Sequence, residues 1–214
     1  MTQKITYFSL LQICFSENNA LVKFYSPIFL KIIFTFDNTM NLHINERLQL
    51  ELVHPRHAQE LYELALKNFD HIAEWMPWIQ NMKSQAFIDQ FIVNATERYH
   101  QNMEHAFVLV LDNAIIGRVG VYKIDPFNRI AEIGYWLDQS HAGNGYMTQS
   151  VDCIIQYCFD TLHLNRLEIR CGEHNTRSQS IPERLHFLKE GLLHQAEYLN
   201  GRFHNLWVYG RCRN

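Results

Sequence analysis

The chain has 214 residues, 47% of them apolar and 19% charged, with a formal net charge of −3. This is an ordinary folded composition; it excludes a disordered or fibrous chain and any wholesale electrostatic claim on nucleic acid. Its five cysteines are odd in number and include no CxxC pair, which argues against a disulfide framework or a structural zinc site and fits a reducing cytoplasm. The twelve histidines include no HExxH and no acidic partner at ligand spacing, so no metal is expected.

Residues 1–39 read differently from the rest. Their apolar stretch Ala20–Phe36 is too short for a bilayer span and carries Lys23, Pro27 and Lys31. No small-residue cleavage site follows it, so neither a membrane segment nor a signal peptide is expected. We expect an extension outside the fold, with Met40 as the biological start. The alternative is a membrane-proximal or partner-binding arm.

From Met40 the pattern becomes regular. Leu48, Leu50 and Leu52 alternate with Gln49 and Glu51, as in a strand with one buried face. His57–Asn68 carries Leu61, Leu64 and Ala65 at helical spacing after Pro55. Phe69–Ile79 is aromatic and irregular. Ser84 is expected to cap a second amphipathic helix whose face holds Phe87, Ile88, Phe91, Ile92 and Ala95. A three-strand meander follows: Ala106–Leu111, a turn at Asp112-Asn113, Ile115–Tyr122, and Arg129–Leu137 after Asp125-Pro126. The remaining elements are a helix over Met147–Leu162, a strand at Arg166–Gly172, a short helix at Arg177–Leu185, and a hairpin of Leu188–Tyr198 and Phe203–Arg211 turning at Asn200-Gly201. This order predicts a single α/β (α+β) domain over residues 40–214. Its centre is a mixed, mostly antiparallel sheet of about six to seven strands, flanked by about four helices.

The strand–loop–helix at 129–162 carries the most chemistry. Gly143 and Gly145 permit positive φ and a close backbone approach, and the helix behind them offers unpaired N–H groups and the positive end of its dipole. Together these suit an anion such as a pyrophosphate, although a GxG pair alone equally describes a tight turn. The loop is neither GxGxxG nor a P-loop.

GYWLDQSHAGNGYMTQSV after a meander resembles the acetyl-coenzyme A loop of the GNAT superfamily of N-acetyltransferases. There the loop reads Gln/Arg-x-x-Gly-x-Gly/Ala; here the places hold Ala142, Gly143, Asn144, Gly145, Tyr146 and Met147, so the first and last depart. Met147 with Thr148 is similar to the GxMT form of the ribosomal-protein-serine acetyltransferase subfamily. HNTRSQ, EGLLHQAEYLNG and the closing VYG are similar to that subfamily in order and spacing. The resemblance covers roughly Leu48 to Arg211. His186 departs from the usual Gly before Phe187, and Pro182 stands where many relatives carry a tyrosine.

The resemblance implies acetyl transfer from acetyl-coenzyme A to a primary amine, with the N-terminal α-amine of a ribosomal or other protein as the leading acceptor. It implies no metal, no nucleic acid, no membrane, a cytoplasmic location and room for a homodimer. Glu197 matches the proposed general base, and Glu132 on the meander strand is the competing base; as residues alone, either reads equally as an ordinary strand glutamate. Ser178 matches the serine beside the thioester sulfur, with a helix cap as its ordinary role. Asn175 is expected at the pantetheine amides or as a cap. Tyr135, Trp136 and Leu137 are expected to offer backbone groups to pantetheine, like an added strand. Ala142–Thr148 is expected to cradle the pyrophosphate. Tyr146, Trp75, Trp78 and Trp136 are candidates for the acceptor pocket, Asp70 and Glu74 for attracting a cationic amine, and Arg166–Arg170 and Arg184 for the nucleotide phosphate. The alternatives are a small-amine acetyltransferase and a non-catalytic acyl-coenzyme A sensor.

Overall fold

The computed structural model describes residues 40–213, so the expectations for residues 1–39 lie outside the described residues. Chain order is β1 (Asn41–His43), β2 (Leu48–Leu52), α1 (Ala58–Lys67), α2 (Phe69–Ala73), α3 (Gln85–His100), β3 (His105–Leu111), β4 (Ala114–Asp125) and β5 (Ile130–Leu137). Then come α4 (Tyr146–Gln156), β6 (Arg166–Gly172), α5 (Thr176–Arg184), β7 (Leu188–Leu199) and β8 (Arg202–Cys212). The strands form one sheet in the order β1-β2-β3-β4-β5-β6-β8-β7. Only β5 and β6 run parallel; every other neighbouring pair is antiparallel.

The mixed α/β class and the order of the expected elements along the chain agree with the sequence, but the counts are higher: eight strands and five α-helices among the described residues. The extra strand, β1, is three residues long, too short to show a period of two. The extra helix, α2, lies in the irregular aromatic stretch and is followed by a 3₁₀ turn at Pro77–Asn81. Ser84 occupies the N-cap place of α3 with extended backbone, but its side chain makes no capping bond, contrary to expectation. The helix expected to reach Leu162 changes at Gln156 into a π turn over Tyr157–Thr161. The apolar run continues through this change, so periodicity could not mark it.

Alternation along the strands divides the core in two. Phe107, Leu109 and Leu111 of β3, with Ala131 and Ile133 of β5, face α4 and α5. Ala106, Val108 and Val110, with Trp136, face α1 and α3. β3 is therefore buried along its whole length, which explains its unbroken apolar sequence. Each fully buried Leu, Ile or Phe contributes about 1.5–3 kcal/mol by leaving water. Both short hairpins turn where expected, with positive φ at Asp112 (49°), Asn113 (67°), Asn200 (52°) and Gly201 (79°).

Candidate active site

The sheet opens at its one parallel junction. β5 and β6 pair only from Ile130 to Glu132 against Arg166 to Glu168. Beyond that, Ile133–Leu137 keeps β4 as its partner and Ile169–Gly172 keeps β8. The facing backbone edge of Ile133–Leu137, including the expected Tyr135, Trp136 and Leu137, has no strand beside it and can pair with an extended ligand. The three side chains diverge. Tyr135 points to the α5 side, whereas Trp136 is buried in the α1–α3 core beside Trp78, so Trp136 offers the opening only its backbone.

The glycine loop sits at the open end. Gly143 and Gly145 have φ of 85° and 78°, a region most residues enter only at a cost. Gly145 is the N-cap of α4 and no side chain caps the helix, leaving its first N–H groups for an anion. Met147 is buried and anchors α4 in the core, while Ala142, Asn144, Tyr146 and Thr148 lie at the surface or only partly buried. Asn144 Nδ2 donates to the His141 carbonyl at 3.2 Å, which tightens the loop. The Arg184 guanidinium donates to Thr148 Oγ1 at 3.2 Å, putting one cation beside this turn.

A buried carboxylate braces the loop from behind. Asp138, 2% exposed, accepts from Ser140 Oγ (2.6 Å), His141 Nδ1 (2.9 Å) and Lys67 Nζ (3.0 Å). Burial alone would raise its pKa, but these bonds outweigh burial and hold the carboxyl well below the usual carboxylate range. Asn68 Oδ1 adds a bond from the Gln139 N–H at 2.9 Å. The loop is thereby tied to the end of α1.

Ser178 lies in the first turn of α5, on the Tyr135 side of the opening. Asn175 is the N-cap, and its Oδ1 accepts from the Ser178 N–H at 3.0 Å, so capping is the role the structure gives Asn175. Ser178 Oγ lies 3.3 Å from Cys171 Sγ and 3.4 Å from Tyr135 Oη. Burial pushes the Cys171 thiol up to about 11, so it stays protonated at neutral pH.

Glu197 lies on the other side of a backbone irregularity. Three residues of β7, His194–Ala196, stand opposite the single Asn205 of β8, after which Glu197 pairs with His204. Asn205 holds this bulge: its Oδ1 accepts from the Gln195 N–H at 2.8 Å, and its Nδ2 donates to Glu173 Oε2 at 2.9 Å. His204 and Asn205 line an open cleft with Trp75, Glu173 and Phe203. Trp75 covers Gly172, where a Cβ would meet the indole at 3.2 Å. Partial burial raises the Glu197 carboxyl, with His204 opposing the effect. The hairpin tip docks on the end of α2, where Asn200 Nδ2 donates to the Ala73 carbonyl at 3.0 Å.

Glu132 is placed differently. Both of its oxygens receive Lys123 Nζ at 2.9 Å, and Arg170 Nη2 lies 3.1 Å from Oε1. Arg170 also meets Glu168, which bonds Arg166, and Arg166 pairs with Glu190. This chain of ion pairs draws on four strands and passes over a fifth, β8, at Gly210, on the face away from Ser178; it occupies Arg166 and Arg170 but not Arg184, the third arginine expected at a nucleotide phosphate. Trp78 stacks on Phe87 in the core, and Tyr146 packs by His141 at the loop, so of the expected acceptor aromatics only Trp75 lines the cleft. Asp70 and Glu74 are exposed. Among the described residues, no group of three His, Cys, Asp or Glu can hold a metal.

The family model "Acetyltransferase (GNAT) domain" matches residues 47–188. The chain belongs to the GNAT acetyltransferase family. It is 30% identical over 173 residues to the ribosomal-protein-serine acetyltransferase of Escherichia coli, covering 81% of this chain and 97% of that relative. It is 31% identical over 167 residues to the putative ribosomal N-acetyltransferase YdaF of Bacillus subtilis, covering 78% and 91%. Among solved structures, RimL, a ribosomal L7/L12 alpha-N-protein acetyltransferase in complex with coenzyme A, superposes with a TM-score of 0.79 at 29% identity, covering 81% of this chain and 98% of that one.

The chain is thus an N-acetyltransferase with acetyl-coenzyme A as its acetyl donor, and its opening offers what an extended, anionic substrate needs: a free strand edge and an uncapped helix. Several site-building residues of this GNAT domain were not singled out from the sequence. Asp138 had no signal beyond its place before the loop. Asn205 announces itself only through the bulge. Gln179 is buried, its Nε2 donating to the Gly172 and Glu173 carbonyls at 3.0 and 2.9 Å, which ties the end of β6 to α5.

Proposed function

We propose that this GNAT enzyme acetylates the α-amine of a protein N-terminus, with Glu197 as the general base and Ser178 beside the sulfur of the coenzyme. The observation that supports this reading is the β7 bulge, after which Glu197 pairs with His204, a lining residue of the open cleft at the hairpin tip, while Ser178 stands at the strand opening. A free α-amine has a pKa near 8, so the incoming ammonium must lose a proton before its nitrogen attacks the thioester. A carboxylate whose pKa is raised accepts that proton more readily than an ordinary one. The unpaired N–H groups of the β5 edge suit the developing oxyanion. Ser178 donates a hydrogen bond to the departing thiolate; a hydroxyl is too weak an acid to do more. Glu132 keeps the ion-pair chain in register.

The relatives named for ribosomal-protein acetylation support a protein acceptor, and we place the reaction in the cytoplasm. More partial matches, at 26–27% identity over about half the chain, are spermidine N(1)-acetyltransferases. A mass-spectrometric screen with acetyl-coenzyme A decides between the acceptors. We expect acetylated N-terminal peptides from ribosomal proteins and unmodified spermidine. Turnover of spermidine with no peptide modified would overturn the protein-acceptor reading, and coenzyme A binding without turnover of any amine would make the chain a sensor.

A further inference from the structure

Pro182 interrupts the hydrogen-bond ladder of α5 at one chosen place. In a helix the N–H of residue 182 would bond the carbonyl of residue 178, four positions back. Proline has no N–H, so the Ser178 carbonyl lacks the helical donor four positions on. Pro182 is buried, and a carbonyl near it left without a donor would be destabilising. The structure supplies the donor from the sheet: Tyr135 Oη donates to the Ser178 carbonyl at 2.9 Å.

This bond fixes more than a carbonyl. A carbonyl oxygen only accepts, so the single phenol proton of Tyr135 is committed to it. Burial raises the Tyr135 pKa well above the ordinary phenol value, so the proton stays in place throughout the neutral range. The phenol oxygen can then serve Ser178 Oγ only as an acceptor. The Ser178 hydroxyl contact to Tyr135 is long, 3.4 Å against about 2.7–2.8 Å for an ordinary O–H···O bond, and its other contact, 3.3 Å to Cys171 Sγ, is to a thiol, which can itself be the donor. Backbone atoms of Ser178 are pinned at both ends, by Asn175 at the N–H and by Tyr135 at the carbonyl, while its hydroxyl, held by a long contact to Tyr135 and a weak one to a thiol, can turn its proton to a stronger acceptor.

We infer that Tyr135 is a positioning residue: its phenol replaces the helical hydrogen bond that Pro182 removes and so holds the Ser178 hydroxyl against the coenzyme sulfur. The inference rests on the reading that Ser178 faces that sulfur. Tyr135 itself transfers no proton. The pairing of a proline in α5 with a tyrosine on β5 is a single device split between two elements, and it answers the absence of a tyrosine at position 182.

Four variants test it by steady-state kinetics with acetyl-coenzyme A and a peptide acceptor, with coenzyme A affinity measured by calorimetry. Tyr135→Phe is expected to lower kcat about tenfold while the affinity for coenzyme A changes less than threefold, the loss of one buried hydrogen bond at a reacting position. Pro182→Ala restores the N–H at position 182 and should leave kcat near wild type. The double variant Tyr135→Phe with Pro182→Ala is expected to recover most of the lost kcat, because the helix then satisfies its own carbonyl. A purely space-filling role for the tyrosine would give no such rescue. Ser178→Ala separates the two ideas. If Ser178→Ala keeps wild-type kcat, the reading of Ser178 falls and the inference with it. If Ser178→Ala loses activity but Tyr135→Phe keeps wild-type kcat, or Pro182→Ala fails to rescue Tyr135→Phe, only the positioning role is overturned.

Discussion

The two ends of the site are built from different materials. At the coenzyme end, the parts are backbone and core: a free strand edge, two residues with positive φ, an uncapped helix, and a carboxylate with 2% exposure behind them. At the end proposed for the acceptor, the parts are side chains on a bulged hairpin, with Tyr198 and Phe203 exposed and an asparagine on the neighbouring strand holding the bulge that precedes Glu197. A site made of backbone tolerates many sequences and binds one ligand. A site made of surface side chains changes its partner with a few substitutions, which is how one fold serves many acceptors.

The sharpest way to break this comparison is at Glu197. Glu197→Gln removes the proposed base without altering the coenzyme end, so kcat should fall by about 100-fold or more while the coenzyme A dissociation constant stays within threefold. In the wild type, the raised carboxyl pKa means that kcat/KM declines as pH falls toward that pKa, beginning nearer neutrality than an ordinary carboxylate would allow. A Glu197→Gln variant with wild-type turnover would move the base elsewhere. At the other end, Gly145→Val forces a β-branched residue to a φ of 78° and should raise the KM for acetyl-coenzyme A by roughly tenfold or more with a smaller change in kcat.

Asp138→Asn tests whether the loop is braced from the core. It weakens the bonds from Lys67 and His141 and should cost about 2 kcal/mol of stability, read as a lower denaturant midpoint, along with weaker coenzyme A binding. The sign with pH is fixed: the folded pKa lies below the unfolded one, so the carboxylate's contribution is present above the unfolded value near 3.9 and fades as pH falls through the folded value. The asparagine variant lacks that dependence. The smallest effect is expected at Glu132. Its carboxylate is already bonded to Lys123 and approached by Arg170, and Glu132→Gln should change kcat less than threefold. A drop comparable to that of Glu197→Gln would make it the base.

The coenzyme end was the legible one. Gly143, Gly145 and the helix behind them are a local pattern, and local patterns survive in sequence. Glu197 stood out only through the motif around it, because the bulge that aims it depends on Asn205 across the hairpin and on Glu173 in a third segment. Trp75 and Trp78 looked equivalent in the irregular stretch, yet one covers Gly172 and the other stacks on Phe87. Three residues of separation decide between cleft and core there, and composition does not record it. Nor could composition show that Pro182 and Tyr135 belong together, since the bond joining their elements spans 43 positions.

The splay at β5 and β6 has a consequence for how the domain holds together. An eight-stranded sheet is crossed at its middle by a ladder of only three residue pairs, so the protein carries an edge inside its own sheet. Amides along Ile133–Leu137 on that side should exchange with deuterium faster than those of the continuous strands beside them. A pantetheine arm paired in the gap would act as the missing strand and join the two parts of the sheet. The melting temperature should then climb with the logarithm of coenzyme concentration once that exceeds the dissociation constant, and exchange at this one seam should slow first.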